Sequence, residues 1–235
     1  PSRRWRADYP VGGRHMIKLH HCHQSRSMRS LWLLNELGVP FETQIYPFDM
    51  SIKTEAYLAL NPAGRVPAVE LDNEVIWETG AIAEILCERF PDAGLGRSPG
   101  EPERNEWLIW LHFAETISQH AAALTQQHIM LFEDHMRSPV VTKIEPKRLA
   151  KCYAALNDQL AGRDYILAGG FSAADIGIGQ GLYMSRHFAA IDDYENVVNW
   201  YDRITVRPGF IASLPPEGVG LYTKPFYPPV VDPGK

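Results

Sequence analysis

Residues 20–29 read His-His-Cys-His-Gln-Ser-Arg-Ser-Met-Arg, a dense run of side chains that could ligate a metal, exchange a disulfide or donate a hydroxyl proton. A metal would need several of His20, His21, Cys22 and His23 on one side of the chain. In a strand His21 and His23 point one way and His20 and Cys22 the other, so the four do not converge and no metal is expected. Disulfide exchange would use the Cys22-x-x-Ser25 spacing. The attacking sulfur must be a thiolate, and in redox proteins it sits just before a helix. Cys22 falls slightly earlier, at a strand end, where a buried inert thiol is the commoner outcome. Ser25 and Ser27 are left as two hydroxyls at the start of a helix, where a hydroxyl donor and the helix dipole together favour an anion.

The hydrophobic pattern says what holds this run. Met16–Cys22 reads as a strand with Ile17, Leu19 and His21 on one face. A helix from about Ser27 to Leu37 buries Met28, Leu31, Trp32 and Leu34 and stops at Gly38, where a C′ glycine belongs. Phe41, Thr43 and Ile45 alternate as a second strand, parallel to the first across a right-handed crossover. Thr54–Leu60 is a short helix closed by Asn61-Pro62 and Gly64. Pro67–Leu71 and Glu74–Trp77 flank Asp72-Asn73 as a hairpin, and Thr79 opens a helix with Ile82, Ile85, Leu86 and Phe90 inward. This order, βαβ, then a helix, then ββα, predicts a four-stranded mixed sheet with helices on both faces.

Residues 93–101 form a Pro/Gly-rich linker. Beyond it the period is helical. Pro102 suits the first helical position, and Trp107, Leu111, Ala114, Ile117, Ala121, Leu124, His128 and Leu131 recur over roughly thirty residues. Leu149, Tyr153, Leu156 and Leu160 mark another helix. In Phe171-Ser172-Ala173-Ala174-Asp175-Ile176, Ser172 and Asp175 form a capping box with Phe171 and Ile176 as its staple, which reads as a folding signal. Val197, Trp200, Tyr201 and Ile204 carry a last helix ending before Arg207-Pro208-Gly209. Residues 215–235 are a proline-rich tail that runs extended over the surface.

The division is thus 1–15 as an N-terminal extension, 16–92 as an α/β domain, 93–101 as linker, 102–214 as an all-helical domain and 215–235 as tail. Met16 makes a natural start. The extension holds Arg3, Arg4, Arg6 and Arg14 without an apolar core, unlike a secretory signal. A net charge of −5 offers no field for nucleic acid or an anionic membrane, and no apolar run approaches the ~20 residues of a membrane span. Three scattered cysteines argue against a disulfide framework and for a reducing, cytoplasmic setting.

A thioredoxin-like half, a short linker and an all-helical second half resemble the cytosolic glutathione transferases. Four stretches carry the resemblance: Ser25-Arg26-Ser27-Met28-Arg29 leading into Leu31-Trp32-Leu33-Leu34-Asn35-Glu36-Leu37-Gly38, Asn61-Pro62-Ala63-Gly64-Arg65-Val66-Pro67, Glu78-Thr79-Gly80-Ala81-Ile82, and the capping box at 171–175. It implies glutathione as co-substrate and no metal. It implies a cis bond before Pro67 that turns the Val66 backbone outward to pair with the cysteinyl residue of glutathione. Thr79 at a helix N-terminus would hold the γ-glutamyl carboxylate and Glu78 the neighbouring ammonium. Lys53 and Arg65 are candidates for the glycyl carboxylate.

Ser25, four residues before Arg29, matches the serine of theta-like members and is preferred over Ser27 as the group that stabilises the thiolate. His20 and His21 stand where tyrosine-dependent classes place a tyrosine. The family's electrophile pocket would be walled by Trp107, Trp110, Leu111, Phe113, Ala114 and the tail aromatics Tyr222, Phe226 and Tyr227, which favours an aryl or bulky apolar substrate. His112, Glu115 and His120 receive no role. A homodimer is implied. Two other readings stay open: a glutathione-dependent disulfide reductase using Cys22, and a binding module that keeps the fold without turnover.

Overall fold

The computed structural model describes residues 16–230; the N-terminal extension and the last five residues of the tail lie outside the described residues. The first half consists of β1 (Ile17–His21), α1 (Met28–Leu37), β2 (Glu42–Ile45), α2 (Glu55–Leu58), β3 (Ala68–Leu71), β4 (Glu74–Trp77) and α3 (Thr79–Arg89). The sheet order is β2-β1-β3-β4, with β1 parallel to β2 and antiparallel to β3, and β3 antiparallel to β4. This is the mixed sheet that the βαβ and hairpin patterns predict. Asp72 adopts φ 55° in the two-residue turn between β3 and β4.

The alternation read in the second strand does not bury one face. All four residues of β2 are exposed, because β2 is an edge with only β1 beside it.

The second half holds α4 (Arg104–Thr125), α5 (Pro139–Gln159), α6 (Ala173–Ser185), α7 (Glu195–Thr205) and α8 (Pro208–Ser213). Pro102 is not the first helical residue. Glu103 takes φ 62° ahead of α4, so the helix begins two residues later than expected. At its other end α4 continues as a π-turn over Gln126–Met130. Arg207-Pro208-Gly209 does more than end α7: Pro208 starts α8 in the N1 position.

The helix α6 is the axle of the molecule. Twelve of its thirteen residues are buried, which an amphipathic surface helix cannot achieve. Its glycines make that possible. A Cβ on Gly179 would come within 2.6 Å of Ile204 Cδ1 and 3.1 Å of the Trp32 ring, and one on Gly177 within 3.2 Å of Ala114 Cβ. Each interior glycine costs about 0.5–1 kcal/mol of helix propensity, offset by the close approach of α1, α4 and α7.

The predicted capping box starts this helix. The Ser172 hydroxyl accepts from the Ala174 amide at 3.3 Å, and Asp175 Oδ2 accepts from the Ser172 amide at 2.9 Å. The other carboxylate oxygen takes the Ile166 amide at 3.0 Å and the Trp200 indole N–H at 2.9 Å. One buried carboxylate therefore ties α6 to α7 and to the loop before it. Asp175→Ala strands three backbone or indole donors and should cost about 3 kcal/mol or more. Ser172→Ala removes only a cap and should cost about 1 kcal/mol. Urea unfolding of both variants checks this; equal losses would mean that Asp175 acts as a cap alone.

Candidate functional site

The chain leaves β1 at His21 and enters α1 at Met28 through a tight turn in which Gln24 takes φ 51°. The turn sorts its two serines. Ser27 is fully buried, and its Oγ accepts from the Cys22 amide at 3.0 Å, lies 2.8 Å from His21 Nδ1 and 3.1 Å from the Cys22 carbonyl. Ser25 is half-buried. Its hydroxyl donates to the Cys22 carbonyl at 2.8 Å, accepts from the Ser27 amide at 3.2 Å and lies 2.8 Å from Ser27 Oγ. Of the pair, only Ser25 is open to a ligand at the N-terminus of α1.

The histidines part as the strand geometry requires. His20 lies 2.9 Å from the Tyr46 hydroxyl and 2.8 Å from Glu70 Oε1, while His21 Nε2 lies 3.3 Å from His23 Nδ1. Among the described residues no cluster could hold a metal. Burial, and then Asp49, push the Cys22 thiol up to about 11, so it stays protonated at neutral pH. That does not favour disulfide exchange through this sulfur.

Behind the turn lies Arg29, buried, with all five N–H donors engaged. Nε donates to Gln180 Oε1 at 2.8 Å. One terminal nitrogen donates to Thr79 Oγ1 at 3.0 Å and to Glu115; the other donates to the Ala114 carbonyl at 3.1 Å and to Ser118. Glu115 also accepts from Arg26 at 2.8 Å and from the Thr79 hydroxyl at 3.0 Å. Burial works to raise the Glu115 pKa, but the charges of Arg29 and Arg26 and the bonds from Arg26 and Thr79 hold it down at about 2. Nothing in the sequence marks a role for Glu115, yet it joins α4 to both α1 and α3. No local signal marks it; the need for it is visible only once Arg29 is known to be buried.

The peptide between Val66 and Pro67 is cis. Its loop is pinned by the Tyr57 hydroxyl donating to the Arg65 carbonyl at 2.8 Å and by Asn61 Nδ2 donating to the same oxygen at 2.7 Å. Glu78 precedes α3 with φ 76° and an exposed side chain that makes no capping bond, which leaves the first turn of α3 uncapped by its own N-cap. The Thr79 hydroxyl is already committed to Glu115, so its backbone N–H is the group left to meet an anion. Lys53 is likewise occupied: its ammonium donates to the carbonyls of Ala63 at 3.3 Å and Gly64 at 2.9 Å. Arg65 is exposed and makes no side-chain bond among the described residues.

Several of the residues expected in the pocket wall are buried. Trp107 is wholly buried, its indole N–H donating to the Leu95 carbonyl at 3.1 Å, and Leu111 and Ala114 are buried beside it. Phe113 sits seven residues, two turns, before His120, which pairs with Glu145 of α5 at 2.5 Å. Phe113 and its edge-on neighbour Trp110 therefore lie on the flank toward α5, away from Glu115 and Thr79. An open cleft of about 940 Å³ runs between the end of α4 and the tail, walled in part by His128, Ile129, Leu221, Thr223 and Tyr227. Gln24, next to Ser25, takes the Leu221 and Tyr222 amides on its Oε1, so the tail is fastened to the turn. Tyr222 is not in the wall of the cleft; its hydroxyl is 2.8 Å from Thr125 Oγ1.

Residues 25–89 match the family model described as the glutathione S-transferase N-terminal domain. A curated relative, glutathione S-transferase 3 of Schizosaccharomyces pombe, is 28% identical over 82% of this chain and 84% of its own length. Among solved structures, a sphingomonad glutathione S-transferase complexed with glutathione superposes with a TM-score of 0.72 at 28% identity, over 86% of this chain and all of the other. A glutathione S-transferase from Xylella fastidiosa gives 0.75 at 23% identity, over 84% of this chain and 96% of its own, a likeness of fold.

The ion pairs at Glu115 set an acid-side signature. A carboxylate held at about 2, against its ordinary 4.5, contributes stability that is complete above pH 4.5 and is lost as the pH falls through 2. The carboxylate is 38% exposed, so solvent moderates the effect. In Glu115→Gln the unfolding midpoint should fall less steeply than wild type between those two pH values. Parallel curves would show that the two arginines do not hold Glu115 ionised.

Proposed function

We propose that this chain is a cytosolic glutathione transferase in which Ser25 stabilises the thiolate of bound glutathione for attack on a hydrophobic electrophile. The observation that carries the reading is the sorting of the two serines: one hydroxyl buried and saturated, the other open at the N-terminus of α1. A hydroxyl donor and a helix N-terminus act together on a sulfur anion placed there.

The remaining contacts follow the chemistry of the tripeptide. The Val66 backbone beside the cis peptide pairs with the cysteinyl residue in the manner of an added strand. The first turn of α3, with Thr79 N–H, receives the γ-glutamyl carboxylate, and Glu78 receives the ammonium. Arg65 meets the glycyl carboxylate. Lys53, with its ammonium on two loop carbonyls, supports that loop and adds positive potential. The electrophile enters from the cleft between α4 and the tail, where Ile129, Leu221 and Tyr227 offer apolar and aromatic surface to an aryl or bulky apolar group beside the polar His128, Asp134 and Lys224. Substitution, addition and ether cleavage all begin with this same attack.

A homodimer belongs to the same reading. Val75 and Trp77 on β4 and Phe132 after α4 are large apolar side chains left exposed on one protomer. No helix among the described residues is long and apolar enough to cross a membrane.

Ser25→Ala tests the assignment. In an ultraviolet difference titration across pH, wild type should show the bound thiol ionising at a lower pH than free glutathione. The variant should bind glutathione within a few-fold of wild type but lose that shift, and kcat/KM toward an aryl electrophile should fall roughly 10²-fold or more. Cys22→Ala should leave conjugation unchanged. If Ser25→Ala keeps the shift, the thiolate is held by another donor; if neither protein binds glutathione, the transferase reading fails.

A further inference from the structure

Beneath Ser25 lies a file of hydrogen-bonding groups that runs through the buried Ser27 and His21 to the half-buried His23. Ser25 Oγ is 2.8 Å from Ser27 Oγ, Ser27 Oγ is 2.8 Å from His21 Nδ1, and His21 Nε2 is 3.3 Å from His23 Nδ1. Each hydroxyl has a single proton, so the direction of every bond in the file depends on its neighbours. Backbone amides fix part of the accounting. The Cys22 N–H donates to Ser27 Oγ and the Ser27 N–H donates to Ser25 Oγ, which leaves each oxygen one more acceptor position and one proton to place.

Both hydroxyls also have the Cys22 carbonyl within reach, at 2.8 Å from Ser25 Oγ and 3.1 Å from Ser27 Oγ. Two arrangements run along the file itself, in opposite directions. If His21 carries its proton on Nε2, Nδ1 is an acceptor and takes the Ser27 proton. Ser27 then has a lone pair for the Ser25 proton, which turns that proton inward. If His21 carries its proton on Nδ1, it donates to Ser27. Ser27 donates to Ser25, and the Ser25 proton, which meets the Cys22 carbonyl in the ligand-free protein, is the one left to turn toward the ligand side. His23 Nδ1–H donates to His21 Nε2 in this second arrangement. In it every member donates toward the sulfur and polarises the next.

The geometry points to His21 as a positioning residue that, as its Nδ1–H tautomer, directs the Ser27 and Ser25 hydroxyls outward so that Ser25 donates to the glutathione sulfur. This inference rests on the reading that Ser25 stabilises the thiolate. No proton moves along the file, and no bond is made or broken by it; the imidazole sets an orientation. Burial, with His23 beside it, lowers the His21 pKa to about 4, so at neutral pH the ring carries one N–H and has two tautomers to choose between. Ser27 then has a function without touching substrate: it passes the orientation on.

The test compares wild type with His21→Leu, His21→Asn and Ser27→Ala. Leucine removes the donor, whereas asparagine keeps an N–H near the position of Nδ1. The pKa of the bound glutathione thiol, read from thiolate absorbance, should rise by roughly half to one unit in His21→Leu and Ser27→Ala. It should return most of the way in His21→Asn. Affinity for S-methylglutathione, which has no thiol to ionise, should stay within about two-fold in all three, a result that a general loosening of the turn would not give. In wild type, ¹⁵N shifts of the His21 ring should move toward the Nδ1–H tautomer when glutathione binds.

A leucine or alanine variant that binds S-methylglutathione normally and keeps the wild-type thiol pKa overturns the proposal, as does a ring that stays Nε2–H in the complex. If His21→Leu does not fold, Ser27→Ala and the ring shifts decide. Ser25→Ala run in parallel separates the two readings. A shift lost in Ser25→Ala but kept in His21→Leu and Ser27→Ala removes the role of His21 and leaves Ser25 standing.

Discussion

A guanidinium can be buried in a protein interior only if its charge is balanced and its five donors are met, because an unpaired buried cation costs several kcal/mol. Arg29 meets that condition with groups from three other helices: Thr79 of α3, Ala114, Glu115 and Ser118 of α4, and Gln180 of α6. None of these partners is near Arg29 in sequence. The α/β half and the helical half can therefore satisfy Arg29 only in one relative placement, and any sliding of α1 against α4 or α6 would strand a donor. The pairing is better understood as fixing that placement than as adding net stability.

The same network reaches the candidate site. Gln180 accepts from Arg29 with its oxygen and donates with its nitrogen to the Ser25 carbonyl at 3.2 Å. Thr79 accepts from Arg29 at the very start of α3. The turn proposed to hold the thiol and the helix end proposed to hold the γ-glutamyl carboxylate are thus attached to one cation. Gln180 can sit there because glycines on either side of it let α6 run through the middle of the molecule. A second tie runs along the outer side of α1, where Arg207 donates to both oxygens of Glu36 at 2.9 and 2.6 Å. In this way α1, part of the α/β half, is anchored mainly by the helical half.

This division explains what could be read from the sequence. Local features were legible: the turn at Asp72-Asn73, the stop at Gly38 and the Ser172–Asp175 cap each depend on residues within a few positions of one another. The periodicity of α4 was legible as well, and it correctly set Trp107, Leu111 and Ala114 on one face. Which neighbour that face meets was not legible. A stripe that packs on α6 and one that lines a cleft have the same spacing, so the pattern alone does not separate buried residues from pocket wall. Pro102 and Pro208 show a similar limit. Both suit a first helical position, but only Pro208 occupies one, because Glu103 turns the chain just before α4. The polar contacts of Glu115 and Gln180 join residues 36 to 155 positions apart and leave no local trace.

Burial beneath the turn has one further consequence for the chemistry. It disfavours whichever form of a group is charged, so it moves an acid and a base in opposite directions. Cys22 is pushed up to about 11 and His21 down to about 4. Over the whole interval between those values the thiol and the imidazole are both neutral, and the floor of the site carries no net charge from either. A thiolate in the floor would repel a second thiolate above it, and an imidazolium there would be an expensive buried cation of its own. With both neutral, the field at the mouth of the turn is set by oriented hydroxyls and by the N-terminus of α1, which favour an anion without changing protonation state themselves. A cysteine and a histidine that look reactive in the sequence thus serve the site by remaining uncharged.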